Sequence, residues 1–324
     1  MTLRQLAARN PTTFFIARRL LLSVPTILAV LTVIFFAMRT LPGDPAYAIL
    51  GDIATAEAIE ALRERLGLNL PVSQQYFDFL LGIFQGDFGT SLVFGRPVLG
   101  EILRVLPFTL ELTFASIIIG STVGIPLGVL SALYRNRLLD YITRVVSLIG
   151  FSIPVFFTAI LLILAFAVHF RWFPVISSGN SAGFSGRINE LVLPALTGAL
   201  SLMAMMTRAT RSSMLEVLGE DYVRTARAKG APPSIIVIRH ALRNALIPVV
   251  TIIGLYFALI IGNSVLIETV FTRPGLGSLI IGSLDNRDYP MVQGLLVIYA
   301  LIIVVVNLAT DLSYSVIDPR VKRS

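Results

Sequence analysis

Stretches free of Asp, Glu, Lys and Arg occur six times along the chain, at residues 20–38, 112–134, 145–170, 191–207, 244–267 and 289–310. They are 17 to 26 residues long. A helix needs about 20 mainly apolar residues to cross roughly 30 Å of hydrocarbon. The pattern therefore predicts an all-α polytopic membrane protein with six transmembrane helices, the fourth barely long enough. Two connecting segments are too large to be mere links: 39–111, of 73 residues, and 208–243, of 36. Loops of that size are usually functional. Within the first, Ile59, Leu62 and Leu66 share one face of a helix predicted over 56–66 and stopped by Gly67. A second helix, 74–84, has interfacial character through Tyr76, Phe77, Phe79 and Phe84. No convincing internal repeat is present.

Composition strengthens this reading. Of 324 residues, 55% are hydrophobic and 14% charged, and the mean hydropathy is +0.82. Average soluble domains carry about 25% charged residues, so an ordinary soluble enzyme and a disordered chain are both excluded. With no cysteine there is no disulfide framework and no thiol chemistry, and His169 and His240 stand too far apart for an HExxH zinc centre. The net charge of +7 would suggest nucleic acid in a soluble protein. Its distribution points to topology instead. With the N-terminus inside, the segments 1–19, 135–144, 208–243 and 311–324 hold 17 of the 26 Lys and Arg on 79 residues, and the outer segments hold 9 on 114. The positive-inside rule then places both termini in the cytoplasm, with no nucleic-acid partner. Arg4, Arg9, Arg18 and Arg19 precede the first apolar run as they would a signal peptide. That run is longer than a signal h-region and ends in Met38-Arg39, so it reads as a retained span.

Inside the spans the only ionisable side chain is His169, one residue from the end of the third. Ion-coupled transporters place such groups deeper, and no inverted repeat is detectable, which weighs against a secondary transporter. An intramembrane enzyme would need a Ser/His, paired Asp or metal constellation that the spans lack. There is no Gly-x4-Gly-Lys-Ser/Thr phosphate loop, so if ATP supplies the energy another chain must handle it. Ser116, Gly120, Gly124 and Gly128 recur every four residues and predict close approach of another helix. Pro25, Pro126, Pro154, Pro194 and Pro248 lie within spans and can kink them. Pro154 and Asn263 are candidates for a translocation pathway, although Asn263 could equally face a neighbouring helix.

The inner loop carries the sharpest local signal. Asp221 is a candidate N-cap, and Gly230 before Pro232-Pro233 is a strong stop, leaving about two turns of helix. Val223, Ala226 and Gly230 fall on one narrow face, and Arg224, Arg227 and Lys229 add positive charge. Such a helix could touch anionic lipid or offer its small-residue face to a partner.

The run Tyr222-Val-Arg-Thr-Ala-Arg-Ala-Lys-Gly230 resembles the EAA loop of binding-protein-dependent ABC permeases of the dipeptide/oligopeptide/nickel group. Leu41-Pro-Gly-Asp-Pro45, Gln85-Gly-Asp-Phe-Gly89 with Ser91, and the stretch 104–112 agree with it. So do Phe271-Thr-Arg-Pro-Gly-Leu-Gly277, Arg287-Asp-Tyr-Pro-Met-Val-Gln-Gly294 and Asp318-Pro-Arg-Val-Lys322. In the general pattern a Glu stands six residues before the Gly, and here that position is Arg224. The chain is most similar to the B-type permease subunit of dipeptide or oligopeptide importers. The resemblance implies a type I importer permease fold, with an N-terminal part (1–107), a permease domain of five helices (108–311) and a cytoplasmic tail (312–324). It also implies a heterodimer with a second permease, two cytoplasmic ATPases that use ATP and Mg, an extracytoplasmic solute-binding protein, and an inner-membrane location. No cofactor is expected on this chain, and the ATPase-coupling residues are expected at 221–224, 226, 227, 229 and 230.

Overall fold

The computed structural model describes residues 11–40, 45–50, 54–179 and 183–317. The sequence motifs at 41–44 and 318–322 lie outside the described residues, as does the tail before Pro11. Segment 39–111 holds α2 (Pro45–Leu50), α3 (Ala56–Arg65) and α4 (Val72–Gln85), following α1 (Pro11–Thr40). Then come α5 (Val98–Leu133), α6 (Leu138–Ser152), and α7 (Val155–Leu162), which runs into a π-helical stretch, Ile163–His169. Next are α8 (Gly183–Val217), α9 (Asp221–Ala228), and α10 (Pro233–Ile235), which continues through a π-helical stretch, Ile236–Leu242, into α11 (Arg243–Val270). The last two are α12 (Leu276–Asp285) and α13 (Tyr289–Ile317). Among the described residues the extended pairing is limited to an isolated bridge between Thr90 and Pro97.

Five helices are long and apolar enough to cross a membrane, and α6 with α7 makes a sixth span if the pair is counted as one. That pair corrects the expectation of a single helix over 145–170, because it bends by 107°. Ile153 is extended (φ −81°, ψ 127°) and Pro154 sits at the N-cap of α7. The pyrrolidine ring disfavours a helical conformation for the residue before it and removes a backbone donor. At Pro25, Pro126, Pro194 and Pro248 the helices run on. The fourth span, the shortest apolar run, becomes the 35-residue α8, the most enclosed of the spanning helices. Charged residues flanking the run, such as Glu190 and Arg211, are satisfied by neighbouring elements rather than ending the helix.

Helix α8 forms the axis, with α5, α6, α7 and α11 packed on it. It runs parallel to α5 in a four-residue register. Ser116 faces Gly198, Gly120 faces Leu202, Gly124 faces Met203 and Met206, and Gly128 faces Thr207 and Thr210. A Cβ on Gly124 would come within 2.7 Å of the Met206 Cβ and 2.8 Å of the Met203 carbonyl oxygen. The predicted stripe is thus the seam of this pair. Helix α11 lies antiparallel to α8, with Val249 and Ile260 packed on Leu202 and Met206. Helix α1 sits at the edge against α13, through Leu31, Ile34 and Met38 on Val292 and Val297. Arg19 pairs with Asp311 at 2.8 Å, and the Thr32 and Tyr76 hydroxyls, 2.7 Å apart, tie α4 to α1.

Candidate functional site

At one end of the bundle Ala132 of α5, Met214 of α8, and Ala241 and Ala245 around the start of α11 form a small apolar cluster. Helix α9 lies against the π-helical stretch beside this cluster. Eight residues make a marginal helix in isolation, so its position depends on anchors. Val223 is fully buried, and the Tyr222 hydroxyl accepts a 2.7 Å hydrogen bond from Asn244 Nδ2. Asn244 also donates to the His240 carbonyl at 3.2 Å. The helix ends as the sequence suggested. Gly230 has φ +79°, with its N–H bonded to the Arg227 carbonyl and the Ala231 N–H to the Ala226 carbonyl, which is the Schellman arrangement.

Two expectations change. Glu220, not Asp221, is the N-cap, and Asp221 is the first helical residue, 3.4 Å from Arg224. Val223 does not belong to an outward small-residue face, because the one large aliphatic residue of a short polar helix is what docks it on the body. Ala226 is half-buried, and the open surface is formed by Arg224, Arg227, Ala228, Lys229 and Gly230. Nothing lies within 4 Å of a Cβ built on Gly230, so that side is free within this chain.

Asp140 anchors the turn between α5 and α6. Its side chain is fully buried, and it accepts bonds from Arg211 Nε at 2.6 Å and Nη2 at 2.9 Å. Ser131 Oγ at 2.6 Å and the Asn136 N–H at 2.9 Å complete the set. The bidentate guanidinium joins α6 to α8.

Pro154 and Asn263 come together. They line a groove of about 280 Å³ with Phe151, Ser201 and Tyr256 where α6, α7, α8 and α11 meet. No lining residue is charged.

At the other end the motifs near residues 91, 109, 273 and 288 form polar ties. The buried Glu268 carboxylate accepts from the Gly277 and Ser278 N–H groups at 2.7 and 3.2 Å, and from Thr109 Oγ1 at 2.6 Å. Thr109 in turn accepts from the Leu276 N–H at 2.8 Å. Together they satisfy the open N-terminus of α12. Arg273 bridges Ser177 and Glu111, each at 2.8 Å. The carboxylate of Asp288 accepts from Ser91 and from the Leu92 N–H, binding the 90–97 loop to the start of α13. None of these carboxylates was singled out from sequence, since each lies outside the apolar runs. Glu111 and Asp288 fall within the family-like motifs, and Glu268 lies outside all of them.

A parallel helix pair at the centre of five spans, with a bent apolar pair beside them and a short basic helix at one end, makes an all-α polytopic membrane bundle. Two family profiles match in succession: the N-terminal membrane component of binding-protein-dependent transport systems over residues 12–113, and the binding-protein-dependent transport system inner membrane component over 124–323. The chain belongs to this family and is a permease subunit of an ABC importer. It is 40% identical over 309 residues to the glutathione transport system permease protein GsiC of Salmonella choleraesuis (strain SC-B67), covering 95% of this chain and 98% of that one. Its identity to GsiC of Escherichia coli (strain K12) is 39% over 308 residues. Among solved structures, an inward-facing conformation of the MetNI methionine ABC transporter matches with a TM-score of 0.52 and 23% identity, covering 67% of this chain and 96% of that chain. The fold is therefore that of a type I importer permease.

Proposed function

We propose that this chain, paired with a second permease, imports small peptides or peptide-like molecules across the inner membrane, driven by two separate ATPases that grip α9. The observation that carries the reading is the exposed basic face of α9, held to the bundle by Val223 and Tyr222. A force applied to this face reaches α8 through the short turn at 218–220, and α11 through the π-helical stretch. The spans would then move as two-state bodies biased by nucleotide. The 17-to-9 division of Lys and Arg supports a cytoplasmic position for α9 and both termini. The outer segment 39–111, with 9 Asp and Glu against 5 Lys and Arg, would then meet the solute-binding protein or cap the outer mouth. A peptide-type substrate is supported by the relatives named for glutathione transport.

Gly230→Val tests the coupling role. A β-branched residue at φ +79° strains the cap by roughly 1–3 kcal/mol, and its side chain projects into the free space that an ATPase would fill. The expected result is a membrane-inserted permease whose uptake falls at least tenfold and whose ATPases no longer copurify. Ala226→Asp, which places an unpaired charge in the same contact, should act alike. Normal copurification with normal uptake for both variants would remove the assignment.

A further inference from the structure

Arg208 is half-buried on α8, one turn beyond Ala204, where α6 crosses closely enough that a Cβ on Gly150 would meet the Ala204 Cβ at 3.6 Å. Its guanidinium carbon lies 4.7 Å from the centre of the Phe151 ring, and Phe151 is itself a wall of the Pro154–Asn263 groove. Arg208 Nε is buried without a hydrogen-bond partner, and Nη2 reaches the soft Met205 sulfur at 3.8 Å. Among the described residues no carboxylate pairs with it. Asp140, the acidic group on the neighbouring helix, is taken by Arg211.

An arginine stays charged at any physiological pH, and its planar fork matches a carboxylate with two parallel bonds. A guanidinium held partly out of water without an anion favours recruitment of one. The groove offers neutral hydrogen-bonding groups at Ser201, Tyr256 and Asn263, and no competing charge. We infer that Arg208 engages a carboxylate of the transported molecule at the α9-side mouth of this groove, and so makes carboxylate-bearing substrates preferred. The inference rests on the peptide-importer reading above and names the group that would select within it.

The test uses the complete importer in proteoliposomes, with the second permease, ATPases and binding protein present. The probes are radiolabelled glutathione and dialanine, each as the free acid and with its carboxylates amidated. Arg208→Gln is expected to lower free-acid uptake at least tenfold, toward the rate of the amide, while assembly with the ATPases is unchanged. Arg208→Lys, which keeps the charge but loses the planar fork, should give a free-acid uptake intermediate between the unmodified importer and Arg208→Gln. Any preference of the binding protein is common to all variants and cancels when the free-acid to amide ratio of a variant is divided by that of the unmodified importer. In a second measurement, binding of the free acid to the nucleotide-free complex without binding protein should weaken at least tenfold for Arg208→Gln. An unchanged ratio with unchanged free-acid binding would overturn the inference. So would equal losses for Arg208→Gln and Arg208→Lys, which mark a packing role for the stack on Phe151. Failure of the unmodified importer to take up either peptide would sink the substrate class itself, and the inference with it.

Discussion

Asp140 is fully buried and meets a guanidinium, a hydroxyl and a backbone N–H, with a second arginine, Arg144, at 3.7 Å. It also stands in the first turn of α6, where a negative charge favours the helix dipole. Asp140→Asn keeps the shape but leaves Arg211 without its anion. Breaking a buried pair from one side costs about 3–5 kcal/mol. The variant should lose thermal stability in detergent by several degrees, and Asp140→Asn combined with Arg211→Met should recover part of the loss. Equal melting of the wild type and the single variant would refute this. Arg208 and Arg211 stand three residues apart on one helix with opposite outcomes: Arg211 is matched within the chain, and Arg208 is left to find its anion elsewhere.

At the scale of elements, the α5–α8 seam is set by glycine at positions where a Cβ would strike backbone rather than a flexible side-chain end. Gly124→Val must push Met203 and Met206 away, and overpacking of this kind costs about 1–3 kcal/mol. Its expected effect is a lower melting temperature with ATPase binding retained, since α9 lies at the end of the bundle. Cooperative unfolding at the wild-type temperature would show that the helices do not meet as closely as the register requires. This seam was legible in the sequence because a four-residue repeat of small residues has few other uses inside an apolar run. The bend at Pro154 was not, since four other prolines share its setting and their helices continue. Helix α9 was read correctly in length and in its glycine stop. The direction of its apolar face depended on what it packs against, and Val223 turned inward.

For the whole molecule, hydropathy located the crossings and motif resemblance located the family, because both are carried by local strings of residues. The ties that hold together the end opposite α9 were hidden by distance along the chain. Ser91 and Asp288 are 197 positions apart, and Thr109 and Glu268 are 159 apart. Glu268 and Arg208 each fall one residue beyond an apolar run, so both passed as boundary charges when they are in fact enclosed or half-enclosed. The motifs around these ties position α12 and the 90–97 loop, leaving α9 as the exposed element best placed to receive work from outside the membrane. The chain contains no cysteine, so an introduced thiol is the single one it carries, and the unsubstituted chain in the same assembly gives the background. The most direct measurement is cross-linking from Ala228→Cys on α9, and from Leu284→Cys on α12 as the control, in the assembled importer with a short bifunctional thiol-to-amine reagent. The account predicts that Ala228→Cys links to an ATPase subunit, with a yield that changes when ATP is bound, and that Leu284→Cys gives no ATPase adduct. An ATPase adduct from Leu284→Cys with none from Ala228→Cys would contradict it.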